Sequence, residues 1–252
     1  MKLMDQVRQV LKYHRYAYST EKKYCDWIVR YIRFHDCKQH PKEMGKTEIE
    51  NFLSSLAIRE KVSASTQRQA LNAIMFLYHK VLDIEIKESI DPVKAKRYRR
   101  PPVVMTQSEV KQVLAQMSGI HLLMARILYG GGLRLMECIR LRVKDLDFEK
   151  KLLYIRGAKG GKDRTTLFPE GLHDELKIQL QKVKRIHDDD LSAGYGEVYL
   201  PPALARKYPS AGKEFRWQYV FPAHKISTDP RTGISRRHHG MESGLHKAVK
   251  TA

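Results

Sequence analysis

Between residues 91 and 102 the chain cannot be helical, and that break constrains everything on either side. Asp91-Pro92 ends any helix before it and Pro101-Pro102 bars one after it. Proline fixes φ, lacks a backbone donor and pushes the preceding residue out of the helical region. Between these breaks Lys94, Lys96, Arg97, Arg99 and Arg100 place five basic residues in seven positions. The stretch reads as an extended, positively charged linker joining a first domain, residues 1–90, to a second, residues 103–252.

The first domain reads as four amphipathic helices. Val7, Val10, Leu11 and His14 mark the first. Tyr24, Trp27, Ile28, Tyr31 and Ile32 mark a second, starting after Ser19 or Thr20 as N-cap. Thr47 with Glu50 forms a capping box ahead of Ile49, Phe52, Leu53, Leu56 and Ala57. Ala70, Ala73, Ile74, Leu77, Tyr78 and Val81 give the fourth stripe. The outer faces carry Lys22, Lys23, Arg30, Arg33 and Arg68.

The second domain begins with a capping box, Thr106 to Glu109, and a helix bearing Val110, Val113, Leu114 and Met117. An apolar helix over 121–129 follows, stopped by Gly130-Gly131-Gly132, with a short helix through Leu135, Ile139 and Leu141. Leu152 to Ile155 and Thr165 to Phe168 read as strands around the polar turn Gly157-Ala158-Lys159-Gly160-Gly161-Lys162. A helix beginning at Pro169 carries Leu172, Leu176, Leu180 and Val183. Residues 188–240 lack a clear pattern and read as a functional insertion, and a last helical stretch begins near Met241. The fold class is mostly α with a small β-hairpin, α+β overall.

Charge narrows the function. Lys and Arg number 47 against 28 Asp and Glu, a formal +19, which predicts a polyanionic partner. The bland alternative is a ribosomal or secreted basic protein without a specific site. No apolar run reaches the ~18 residues of a membrane span, and no signal core opens the sequence. Cys25, Cys37 and Cys138 are odd in number and widely spaced, which suits a reducing cytoplasm. His238-His239 has no further ligand spacing to make a metal site.

Two motifs carry chemistry. In Gly131-Gly132-Leu133-Arg134-Leu135-Met136-Glu137 the glycines allow a tight turn, Arg134 offers a planar fork for a phosphate, and Glu137 can orient it. By itself this is equally a helix cap with a surface ion pair. Lys159 and Lys162 stand on the hairpin tip, where an ammonium can reach a scissile phosphate and give a proton to a leaving oxygen. No P-loop pattern is present, so nucleotide hydrolysis has no support.

Taken together, the basic linker, the arginine box and the Gly-Ala-Lys-Gly-Gly-Lys-Asp-Arg hairpin (157–164) resemble the tyrosine recombinases over essentially the whole chain. The resemblance implies a four-helix, SAM-like core-binding domain followed by the tyrosine-recombinase catalytic domain. It implies that Arg134 stabilises the pentacoordinate phosphorane, that Glu137 supports Arg134, and that Lys159 is general acid towards the leaving 5′-oxygen. Such chemistry uses no cofactor, neither metal nor ATP, because the phosphotyrosyl bond stores the energy of the broken phosphodiester. The family's His-x-x-Arg box is absent: no histidine here is followed three residues later by arginine. None of the 13 tyrosines stands where the nucleophile belongs. The expectation is a truncated catalytic domain that binds DNA without cutting it.

Within the family the chain resembles the integron integrases. Tyr18-Ser19-Thr20-Glu21-Lys22-Lys23-Tyr24, Val62-Ser63-Ala64-Ser65-Thr66-Gln67 and an inserted segment at about 190–240 carry that likeness. It implies a homotetramer acting on cassette sites, including folded single-stranded hairpins with bases pushed out of the stem. Trp217, Pro230, His238 and His239, surrounded by Arg231, Arg236 and Arg237, are the expected pockets for such bases. Lys22, Lys23, Lys94, Lys96, Arg97, Arg99 and Arg100 are the expected backbone contacts. Against this, Phe215, Tyr219 and Phe221 also fit a strand packing a satellite core, a face that Trp217 can share. The alternatives are a Xer- or phage-type recombinase on duplex DNA, and a non-catalytic DNA-binding protein on a recombinase fold.

Overall fold

The structure, a computed structural model, describes residues 2–37, 39–86, 88–96, 101–157 and 161–252. The chain divides into two compact units, Met1–Val103 and Val104–Ala252.

The first unit is built from α1 (Leu3–Tyr13), α2 (Tyr18–Phe34), α3 (Lys46–Ile58) and α4 (Ala64–Phe76), the last running into a π-helical turn, Leu77–Leu82. The stripes read from the sequence are the buried ones: Leu11, Ile28, Tyr31, Ile49, Leu53, Leu56, Ile74, Leu77 and Tyr78 meet in one core. Within it the Tyr31 and Tyr78 hydroxyls bond at 2.9 Å, and Tyr78 Oη donates to Met44 O. Ser63 caps α4 by accepting from Thr66 N.

Two starts differ from the sequence reading. In α2 the amides of Thr20 and Glu21 already donate to Ala17 O, so the helix begins ahead of the expected Ser19 or Thr20 cap. In α3 Gly45 holds the N-cap position and Glu48 Oε2 accepts from its amide at 2.7 Å, two residues earlier than Thr47 and Glu50. Glu50 instead accepts from Asp91 N at 2.7 Å.

That contact begins a series. Val93 N donates to Ser54 Oγ, Gln67 Nε2 donates to the carbonyls of Leu53 and Val93, and Ala95 N donates to Gln67 Oε1 at 3.0 Å. The described part of the expected linker is extended, as proline requires, but it lies along the first unit, with Ala95 buried. Buried backbone polar groups need partners, and Gln67 supplies both a donor and an acceptor.

The second unit contains α5 (Gln107–Gln116), α6 (Gly119–Gly131) and α7 (Leu135–Ile139), then β1 (Leu146–Asp147), β2 (Leu152–Ile155) and β3 (Arg164–Leu167). It continues with α8 (His173–Ser192), α9 (Pro202–Lys207), β4 (Pro222–Thr228), β5 (Ser235–His239) and α10 (Glu242–Thr251). Thr106 and Glu109 form the expected capping box. The first sheet is antiparallel in the order β1-β2-β3, one strand more than the hairpin read from sequence. Strand β2 turns Leu153 and Ile155 into the core, where they meet Ile127, Leu133, Ile139, Phe168, Leu176 and Phe221.

Residues 188–240 are more regular than their sequence suggests. Helix α8 runs to Ser192, and β4 and β5 form an antiparallel hairpin. Phe215 to Trp217 is a 3-10 turn rather than a strand. The satellite core is real: Trp217 and Tyr219 bury against Val198, Leu200 and Ala211, while Phe221 joins the main core. Among the described residues no helix is long and apolar enough to cross a membrane.

Gln67→Leu keeps the side-chain volume and deletes three hydrogen bonds, two to the strap at residues 91–96 and one to Leu53 O of α3. Its expected cost is about 1–3 kcal/mol for each buried backbone group left unpaired, read by urea unfolding. Faster tryptic cleavage at Lys94 and Lys96 should accompany it. Unchanged stability and unchanged cleavage would show that Gln67 does not hold the strap.

Candidate active site

The arginine box takes its shape from a glycine turn. Gly132 ends α6 at φ +60°, in the left-handed region that favours glycine. A Cβ at Gly131 would stand 2.6 Å from Leu133 Cδ1 and 3.2 Å from Leu153 Cδ1, so the turn can press against the sheet only without one. Arg134 follows as N-cap of α7, and Glu137, at the third position of that helix, reaches back. Glu137 Oε2 accepts from Arg134 N at 2.9 Å, and Oε1 accepts from Arg134 Nη1 at 2.7 Å. Arg164 on β3 donates to the same Oε2 at 2.7 Å.

The pair is asymmetric in exposure. The Glu137 side chain is 9% exposed, whereas that of Arg134 is 59% exposed. Burial opposes ionisation of Glu137, yet the Arg134 amide and the Arg134 and Arg164 guanidiniums together hold its carboxyl below the usual range. The carboxylate is a fixed anchor and the guanidinium is presented outward.

It is presented into a cleft of about 810 Å³. Arg140, Arg142, Lys144 and Arg156 line it with Arg134, as do Tyr154, Tyr199, Trp217, Tyr219, His238 and His239. Several cations have local duties. Arg142 donates to Trp217 O, Tyr199 O and Tyr219 Oη and lies over the Tyr219 ring. Arg156 pairs with the buried Asp145 at 2.9 Å and braces the base of the β2–β3 hairpin. Across that base Gly157 N donates to Asp163 Oδ1. Lys144 Nζ sits 3.0 Å from the centre of the Trp217 ring, and burial with the nearby Arg156 brings its pKa down to about 8. Arg140 is exposed and has no ion pair among the described residues.

The structure brings Arg134, Glu137, Trp217, His238 and His239 to this one cleft. Lys159 lies outside the described residues, as do Arg97, Arg99 and Arg100. Lys22 and Lys23 are exposed on α2; Lys94 and Lys96 are exposed on the strap, Lys94 pairing with Asp91 at 3.1 Å. Pro230 and Arg231 are exposed in the β4–β5 turn and do not line the cleft. Arg236 is buried, 3.9 Å from Glu197 and over the Tyr199 ring. Arg237 makes a two-point pair with Asp190 of α8 and donates to Ala223 O and His224 O, tying the β4–β5 hairpin to that helix. The Trp217 ring is buried, with Lys144 over it.

Sequence reasoning missed Arg140, Arg142, Lys144, Arg156 and Arg164. The first three are neighbours in sequence, but they reach the cleft through the end of α7 and a 3-10 turn, Val143–Asp145, so no regular period marks them. Arg164 carried none, because its partner is 27 residues away.

The His238 and His239 rings stand 4.0 Å apart against Tyr219. Burial, then its neighbour His239 and the nearby Arg140, push His238 down to about 4; burial also lowers His239. Both are therefore neutral flat rings at neutral pH.

A mainly helical catalytic unit with an arginine box beside an antiparallel hairpin, preceded by a four-helix unit, is the architecture of a DNA-strand integrase. The comparisons agree. The profile of the phage integrase N-terminal SAM-like domain matches residues 3–88, and that of the phage integrase family matches residues 103–251. The chain belongs to the phage integrase family, the tyrosine recombinases. It is 43% identical over 252 residues to an integrase/recombinase of Escherichia coli, covering 100% of this chain and 74% of that protein. The same figures hold for an integrase/recombinase of Pseudomonas aeruginosa. The tyrosine recombinase XerA of Pyrococcus furiosus is 38% identical over 98 residues, 35% of this chain and 34% of that protein. The fold is similar to that of the Tn1549 transposon integrase solved with transposon right end DNA, at TM-score 0.51 and 16% identity, covering 73% of this chain and 66% of that one.

His238 should stay neutral at pH 6 and titrate near pH 4, as read by imidazole nitrogen NMR. The folded pKa lies below the unfolded value of about 6.5, so the unfolded chain binds the proton first. His238 therefore contributes stability that is lost as pH falls from about 6.5 towards 4. A titration midpoint near 6.5 would place the ring in water instead.

Proposed function

We propose that this chain is the DNA-holding and phosphate-activating part of an integron-type site-specific recombinase. The observation that carries the reading is the Arg134 guanidinium, anchored from behind by Glu137 and turned into a basic cleft that also holds Trp217, His238 and His239. A guanidinium so placed meets a phosphodiester with its planar fork. The flat, neutral rings of His238 and His239 offer stacking faces for a base taken out of its helix, worth roughly 1–3 kcal/mol per base.

In the reaction proposed, a tyrosine oxygen attacks the scissile phosphorus, the 3′-phosphotyrosyl bond forms and the 5′-oxygen leaves. Arg134 stabilises the charge on the pentacoordinate phosphorus, Glu137 orients Arg134, and Lys159 protonates the leaving oxygen. Lys22, Lys23, Lys94, Lys96, Arg97, Arg99 and Arg100 hold the sugar-phosphate backbone, supported by the +19 formal charge. His238 and His239 in the cleft, with Pro230 and Arg231 exposed in the β4–β5 turn, belong to the recognition of extruded bases, on a frame held by Trp217, Arg236 and Arg237. The substrates are cassette attachment sites, including folded single strands, and the working assembly is a tetramer on two paired sites.

Gel shifts with a folded single-stranded hairpin carrying extrahelical bases, against the perfectly paired duplex of the same stem, test the substrate. The hairpin is expected to bind about tenfold tighter or better, one stacked base being enough for that ratio. Equal affinity favours a duplex recombinase of the Xer or phage type. Because the sequence has no His-x-x-Arg box, these 252 residues are expected to form no covalent adduct with a nicked hairpin. An adduct resistant to denaturation would refute that. Arg134→Ala should leave hairpin affinity within about threefold, since one phosphate contact among many is lost.

A further inference from the structure

Glu137 has one carboxylate and two arginines compete for it. Arg134 engages Oε1 through Nη1 at 2.7 Å, and Arg164 engages Oε2 through Nη2 at 2.7 Å. An arginine and a carboxylate left to themselves favour a two-point pair, with both oxygens on one fork. Here the second oxygen is already occupied, by Arg164 and by the Arg134 amide.

Arg164 is well placed to keep it so. It is the first residue of β3, paired across the ladder with Ile155, and it also donates to Gly132 O at 3.3 Å. Two residues on, Thr166 Oγ1 donates to Gly131 O at 2.7 Å. The same edge of β3 thus holds both the glycine turn and the acid that orients Arg134. Arg164 is itself only 34% exposed, against 59% for Arg134, so the two guanidiniums are not equivalent: one faces the protein and one faces the cleft.

We propose that Arg164 is a positioning residue for Arg134. By holding Glu137 Oε2 from the sheet, it limits Arg134 to a one-point side-chain contact and leaves the rest of its fork for a phosphodiester. Without Arg164 the carboxylate turns to chelate Arg134, and the cleft loses its phosphate ligand although Arg134 is still present. Arg164 also ties the hairpin stem that leads to Lys159 to the arginine box. The proposal rests on the reading of Arg134 as a phosphate ligand.

The test uses the 252-residue chain with arginine-selective nitrogen labelling and inorganic phosphate as the probe. The Arg134 Nε signal is assigned by its loss in Arg134→Lys, and its response to phosphate is followed by NMR. Arg164→Gln should weaken that response about fivefold or more, the loss of a charged hydrogen-bonding site. Arg164→Lys, whose ammonium still engages Oε2, should stay within about twofold of the parent. In a Glu137→Gln background, Arg164→Gln should add less than about twofold, because the shared carboxylate is gone. An Arg164→Gln response equal to the parent overturns the proposal. So does an equal loss in the Glu137→Gln background, which would mean that Arg164 acts by charge at a distance. If Arg164→Gln fails to fold, an Arg164→Lys response weakened about fivefold or more overturns it too. An unresponsive Arg134 in the parent protein removes the phosphate reading itself, and is thereby distinguished from failure of the Arg164 step alone.

Discussion

The largely covered carboxylate of Glu137 joins three pieces of structure that are separate in sequence. It caps α7 through the Arg134 amide, orients the Arg134 guanidinium and receives Arg164 from β3. A carboxylate this enclosed is costly unless its lone pairs are filled. Three donors fill them, and the result is a negative charge that stays ionised and stays in place. The outward direction of Arg134 follows from that anchor. The glycine turn before it and the hairpin after it are held by the same set of contacts.

The cleft beyond Arg134 is an uneven surface rather than a uniform basic patch. Arg142 and Arg156 are committed to carbonyls and to Asp145, and they shape the walls. Arg134 and Arg140 face the opening. Lys144 lies over Trp217, and the paired histidines stand against Tyr219. Cations for phosphates and flat rings for bases are thereby placed within one cavity of about 810 Å³. Like charges crowded in one cleft destabilise one another, and a polyanion relieves the repulsion.

Much of this was legible in the sequence, and the limits have physical causes. The Thr106–Glu109 box, the Gly132 stop and the apolar stripes of the first unit are local patterns, settled within one or two turns of chain. The α3 cap lies two residues ahead of the expected one because two acids, Glu48 and Glu50, suit the role; Glu48 fills it and Glu50 accepts from the strap. The β4–β5 hairpin was missed because its strands carry Lys, Arg and His instead of alternating apolar residues, and its anchor is the distant Asp190–Arg237 pair. At the candidate site, Arg134 and Glu137 were visible as neighbours on a helix. Arg164 was not, since only the folded ladder brings β3 beside α7.

The most direct test of the account is a structure of the chain bound to a folded DNA hairpin with extrahelical bases. It should show a phosphodiester on the Arg134 fork, with Glu137 still bridging Arg134 and Arg164 and a displaced base against the aromatic and histidine faces of the cleft. A complex in which DNA follows another surface and leaves Arg134 in solvent would contradict it.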